Sequence, residues 1–172
     1  MLHRNKGFTL IELMVTLLVL GIVLAAALPS FREAIQNNRV TTQANELSMA
    51  FMLARSEAVK LTVPTAICGS SDGETCGAAA TWANGFIVFV DQNRDGVRAN
   101  PAEAVIRAFQ SADGGIAFTG PPTFVRYLAT GAVDSAAAIN FNLSIPSCRG
   151  TQSRNFSIAR TGRVQITRVA CT

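Results

Sequence analysis

The chain has 172 residues, a formal charge of +4, 49% hydrophobic residues and 15% charged ones. That length leaves room for one globular domain beside an N-terminal anchor, and the apolar excess is concentrated before residue 29, so the remainder has the balance of an ordinary soluble domain. Arg4 and Lys6 precede the apolar run, and without them the balance is only +2, which excludes a partner chosen by net charge alone.

From Phe8 to Leu28 there are 21 residues with Glu12 as the only charge. As a helix this stretch is about 31 Å long, the thickness of a bilayer's hydrocarbon core. A secretory signal would share the basic start (His3, Arg4, Lys6) and the small residues Ala25-Ala26-Ala27. Two features argue against one. The apolar run is longer than a signal core, and an embedded carboxylate costs roughly 2.5–3.5 kcal/mol at a helix centre. An acid without a local basic partner invites one from another molecule.

Gly7-Phe8-Thr9-Leu10-Ile11-Glu12-Leu13 resembles the processing site of type IV pilins and type II secretion pseudopilins. The resemblance implies that a prepilin peptidase cuts after Gly7 and methylates the new amino group of Phe8. It further implies that Glu12 neutralises the Phe8 ammonium of a neighbouring pilin subunit, a pairing far cheaper in an apolar bundle than either charge alone.

Pro29 would bend or end a helix. The helical pattern nevertheless resumes, with Val40, Ala44, Leu47, Phe51, Ala54, Ala58 and Leu61 on one face and Arg39, Gln43, Glu46, Arg55 and Lys60 on the surface. About three heptads rich in alanine are better spent packing on a domain core than in a coiled coil. Pro64 places the helix end near Leu61 or Thr62. Leu53-Ala54-Arg55-Ser56-Glu57-Ala58-Val59 resembles the helix end of the FimT, FimU and secretion-pseudopilin H subgroup.

Beyond it the pattern turns to short β-rich runs: Val63–Cys68, Phe86–Val90, Ala104–Gln110, Ile116–Thr119, Phe124–Leu128, Ile139–Leu143, Asn155–Ala159 and Arg163–Thr167. The expected class is α+β, with antiparallel sheet packed on the amphipathic half of a long helix, which is also the pilin-like fold that the resemblance implies. The expected organisation is a leader over 1–7, a transmembrane and assembly helix over 8–28, its amphipathic continuation over 29–62, and a β domain over 63–172.

Four cysteines follow the anchor, and the basic leader favours an inside N-terminus with the domain on the oxidising side. Of three pairings we favour Cys68–Cys76, closing a Gly-rich loop, and Cys148–Cys171, pinning the last strands to the preceding loop. Zinc is disfavoured because there is no Cys-x-x-Cys pair and the sole histidine is His3.

Asp91-Gln92-Asn93-Arg94-Asp95-Gly96 has the oxygen spacing of a calcium loop's first half. The position that needs a bidentate glutamate is Ala102, with Glu103 one residue late, so the stretch reads as a hairpin turn. No metal or cofactor is expected. Catalysis is not expected either. Without a histidine after the leader there is no Ser-His or Cys-His pair, the acids are scattered, and Gly69-Ser70-Ser71-Asp72-Gly73 lacks the rest of a phosphate loop.

After Asp134 the chain carries Arg149, Arg154, Arg160, Arg163 and Arg168 and no acid. Thr161-Gly162 marks a hairpin tip with Arg160 and Arg163 on either side, and Arg163, Gln165 and Thr167 facing solvent opposite Val164 and Ile166. Arginines on a flexible, acid-free surface suit nucleic-acid phosphates. DNA-uptake members of the FimT type carry Gly-Arg-x-Arg, and Gly162-Arg163-Val164-Gln165 is similar, with Gln165 in place of the second arginine and Arg160 or Arg168 as compensation. The alternative is a solubilising hairpin in which Gly162 is a turn residue.

The resemblance thus implies a minor pilin supporting pilus assembly, with sequence-independent binding of double-stranded DNA in natural transformation, or else an H-type pseudopilin of a type II secretion system. It implies an inner-membrane precursor, N-terminus cytoplasmic and domain periplasmic, that ends in an extracellular pilus.

Overall fold

The computed structural model describes residues 7–98, 102–110, 115–146, 148 and 150–171. His3, Arg4, Lys6 and Arg149 lie outside the described residues. Two compact units divide the chain, residues up to 36 and residues 37 onward. One helix, α1 (Leu10–Leu61), runs through both.

Thr9 starts the helix. Its Oγ1 accepts the Glu12 N–H at 3.3 Å and its carbonyl accepts the Leu13 N–H. Thr9-Leu10-Ile11-Glu12 is therefore a Thr-x-x-Glu capping sequence, with the acid at the positive end of the helix dipole. At the other end Lys60 lies in the last turn and Thr62 adopts a left-handed φ of 56°, reversing the chain ahead of Pro64.

Eight strands follow: β1 (Thr65–Gly69), β2 (Gly85–Val90), β3 (Val105–Gln110), β4 (Ala117–Thr119), β5 (Phe124–Tyr127), β6 (Ile139–Ser144), β7 (Ser153–Ile158) and β8 (Val164–Val169). They form two antiparallel sheets of order β3-β2-β1-β5 and β4-β6-β7-β8. A short 3-10 turn over Ala79–Ala83 carries Trp82, whose indole N–H donates to the Pro122 carbonyl.

One core joins the C-terminal half of α1 to both sheets. Val40, Ala44, Leu47, Phe51, Ala54 and Ala58 are buried with Trp82, Phe86, Val88, Phe141 and Phe156. Phe51 lies between rings, its centroid 6.2 Å from Trp82 and from Phe141 and 6.5 Å from Phe156. Two positions depart from the expected helix faces. Gln43 is buried because it stands one turn before Leu47 on the covered row, whereas Leu61 is exposed in the final turn, where the chain leaves the core.

The outer face of the first sheet has its own small core, in which Ala66, Cys68, Ile87 and Phe89 pack with Cys76, Val105 and Phe124. Two loops cover it. One is closed by the Cys68–Cys76 disulfide, Cα atoms 5.6 Å apart, and its turn is organised by Asp72, which accepts from Ser70, Glu74 and Thr75. These bonds, led by the Thr75 hydroxyl, hold the Asp72 carboxyl well below the usual carboxylate range. The other loop spans 91–98 and is tied to the first by Arg98, which donates to the carbonyls of Glu74 and Glu103. Cys148–Cys171 joins the segment after β6 to the end of β8.

Candidate functional site

In the first unit the side chains from Phe8 to Leu28 lie uncovered. Phe8 is 83% exposed, and Leu10, Ile11, Leu13, Leu17, Leu18 and Ile22 are exposed with it. Glu12 is exposed too, and among the described residues its carboxylate has no ion pair. Among those residues α1 is the one helix long and apolar enough to cross a membrane. The local order is thus a glycine, an aromatic residue, a capping threonine and a lone acid, followed by a bare apolar surface.

The second candidate is the β7–β8 hairpin. Val164 and Ile166 turn toward the core while Arg163, Gln165 and Thr167 are exposed, as strand alternation dictates. Arg160 and Thr161 are exposed at the tip. Arg168 stands apart: it lies opposite Arg154 across the β7–β8 pair, on the other face of β8 from Arg163 and about 16 Å along the strand. It does not extend the Arg160–Arg163 cluster. Arg154 is buried and committed to structure, with Nη2 donating to Asn37 Oδ1 at 2.8 Å and Thr41 Oγ1 at 3.0 Å, and Nη1 to three carbonyls. Burial, and then the Arg168 charge, lower its pKa.

The hairpin tip is tied down rather than flexible. Arg55 of α1 donates to the carbonyls of Gly131 at 3.0 Å and Thr161 at 3.1 Å, and the Val133 N–H donates to the Arg160 carbonyl at 2.9 Å. Gly162, at φ 83°, closes the turn by donating to the Ala159 carbonyl. A Cβ there would come within 2.1 Å of the Gly131 carbonyl oxygen, so this glycine serves a close approach as well as a turn. The surroundings are not acid-free either. Asp134 lines a shallow groove with Val133, Arg160 and Thr161, although its carboxylate is already paired with Arg126 at 2.9 Å. Trp82 and Tyr127 are fully buried, so neither offers a ring for stacking bases.

Sequence reasoning missed the ion network on the first sheet. Arg126, 8% exposed on β5, donates to Asp91 and Asp134 and lies 4.9 Å from the centroid of the Phe124 ring. Burial pulls the Arg126 pKa down, and the two carboxylates more than restore it. An arginine between the buried Val125 and Tyr127 was the available signal.

A long N-terminal helix carried into antiparallel sheets and opening on such a motif defines a pilin-like protein. Residues 43–162 match the family described as "Type II transport protein GspH", and residues 2–28 match the "Prokaryotic N-terminal methylation motif". The chain belongs to this GspH family. Among solved structures it is similar to the type IV minor pilin FimU of Pseudomonas aeruginosa in two crystal forms, each at 20% identity. The TM-scores are 0.60 over 78% of this chain and 96% of that one, and 0.57 over 77% and 99%. Among curated proteins it is similar to the type IV major alpha-pilin and fimbrial protein Q of Moraxella bovis, each 40% identical over 47 residues. Those matches cover 27% of this chain and 30% of each relative.

Proposed function

We infer that the chain is a minor subunit of a type IV pilus, held in the inner membrane through 8–28 with its domain in the periplasm until it enters the filament. The observation that carries this reading is the uncovered apolar surface from Phe8 to Leu28 with Glu12 as its one charge. Prepilin peptidase cuts after Gly7 and methylates Phe8. In the bundle of subunit helices Glu12 then meets the Phe8 ammonium of its neighbour, which removes two unpaired charges from an apolar setting at once. The capping position of Glu12 is compatible with this role, since it places the carboxylate within one turn of the new N-terminus. Glu12→Gln keeps the shape and removes the charge. The substituted protein is expected to be made and processed but missing from sheared pili, and normal incorporation would sink the assembly role.

Arg160 and Arg163 flank the hairpin tip, and with Gln165 they present forked donors and an amide on a rigid turn. This supports non-specific contact with double-stranded DNA during natural transformation. In a gel shift with the detergent-solubilised protein, Arg160→Ala plus Arg163→Ala should weaken binding and lower the salt slope by about 2. Unchanged binding would remove the site. The family match over 43–162 keeps a second reading in view, an H-type pseudopilin of a type II secretion system. Loss of piliation or transformation on deletion favours the pilus, and loss of secretion alone favours the pseudopilin.

A further inference from the structure

The loop that follows β2 brings three carboxylates together. Oxygens of Asp91, Asp95 and Glu103 all lie within 4.8 Å of one another. Asp91 is fully buried and Asp95 exposed, so the cluster opens to solvent on one side. Glu103 is the unusual member. It is 6% exposed, and neither carboxylate oxygen has a hydrogen-bond partner. The N–H groups of Gln92 and Asn93 favour its charge without reaching hydrogen-bond geometry. Arg126 does not serve it: its Nε and Nη1 go to Asp91 and Asp134 and its Nη2 has no hydrogen-bond partner, while Arg98 donates to the Glu103 backbone carbonyl rather than to the carboxylate. A buried carboxylate aimed at two others with no donor of its own is expensive unless a cation joins them.

We propose that Asp91, Asp95 and Glu103 form a calcium site. The donor set is all oxygen, which selects a hard divalent cation over a soft one. A Ca²⁺ with ligands at 2.3–2.6 Å keeps any two of them within about 5 Å, the span observed here. The spacing that argued against the site from sequence does not hold in space: Glu103, one position late along the chain, still reaches Asp91 and Asp95. The ion would bridge Asp91 and Asp95, which follow β2, to Glu103, which precedes β3. Residues 91–98 cover the small outer core, where Gly96 lies so close to the Phe124 ring that a Cβ would fall 2.4 Å from it. Calcium would accordingly fasten this cover where the Cys68–Cys76 disulfide fastens the other.

The test is thermal melting of the full-length protein in detergent, stripped with EDTA and measured with and without 5 mM CaCl₂ or MgCl₂. For a site in the range of extracellular modules, Kd about 10⁻⁴–10⁻³ M, calcium should raise Tm by about 5 °C. Glu103→Gln and Asp95→Asn should each weaken calcium binding at least about tenfold and reduce that rise to less than about half. Asp95 is exposed, so Asp95→Asn tests the site without threatening the fold. A wild-type Tm that calcium does not move would overturn the proposal. So would a rise that magnesium gives equally and that both variants keep.

Discussion

The two halves of α1 use the same kinds of residue for opposite ends. Before residue 29 the apolar side chains surround the helix and stay uncovered, while from Val40 to Ala58 one row of them disappears into a core and Met49 and Met52 stay outside it. A helix that is apolar all round needs an apolar environment from outside, whereas an amphipathic one makes its environment with its own domain. The difference shows how exposure, read against periodicity, separates the proposed assembly surface from a folding surface. Leu18 and Leu47 are chemically identical and serve different tasks.

Phe51→Ala is the harshest way to break that comparison. It removes the ring at the centre of the aromatic cluster and should cost the domain about 4 kcal/mol in denaturant unfolding, against less than about 0.5 kcal/mol for Leu18→Ala. Equal effects would mean that the first half also contributes to the fold. Next, Arg126→Met strands the fully buried Asp91 and should cost about 3 kcal/mol by the same measurement. A neutral result would show the network to be dispensable. Gly162→Ala combines a strained φ with a clash on Gly131 and should cost about 2 kcal/mol. If DNA affinity falls there while stability is unchanged, the glycine belongs to recognition rather than to packing. The smallest effect on stability, below about 0.5 kcal/mol, is expected for Arg160→Ala plus Arg163→Ala, whose side chains are exposed at the tip.

Where local rules decide the outcome, the sequence was legible. Spacings of three and four marked the buried row from Val40 to Ala58, Pro64 marked its end, and alternation placed Val164 and Ile166 opposite Arg163 and Gln165. What escaped depends on contacts between distant segments. Gly162 read as part of a DNA motif or, alternatively, as a turn residue, and its close approach to Gly131 escaped because that neighbour is 31 positions away. The hairpin arginines read as mobile because nothing near them in sequence reveals that Arg55 holds the tip. Arg154 read as one more surface charge, yet its partners Asn37 and Thr41 come from the helix. The acids of 91–103 were judged by register along the chain, while a cation responds to distance in space.

The processing proposed at Gly7 and Phe8, on which the proposed assembly role of Glu12 depends, has a direct chemical signature. Intact-mass and N-terminal peptide mass spectrometry of the protein extracted from membranes should show a chain beginning at Phe8 with one added methyl group on its amino nitrogen. A chain that retains Met1, or one that begins after Ala27, would contradict the account at its root.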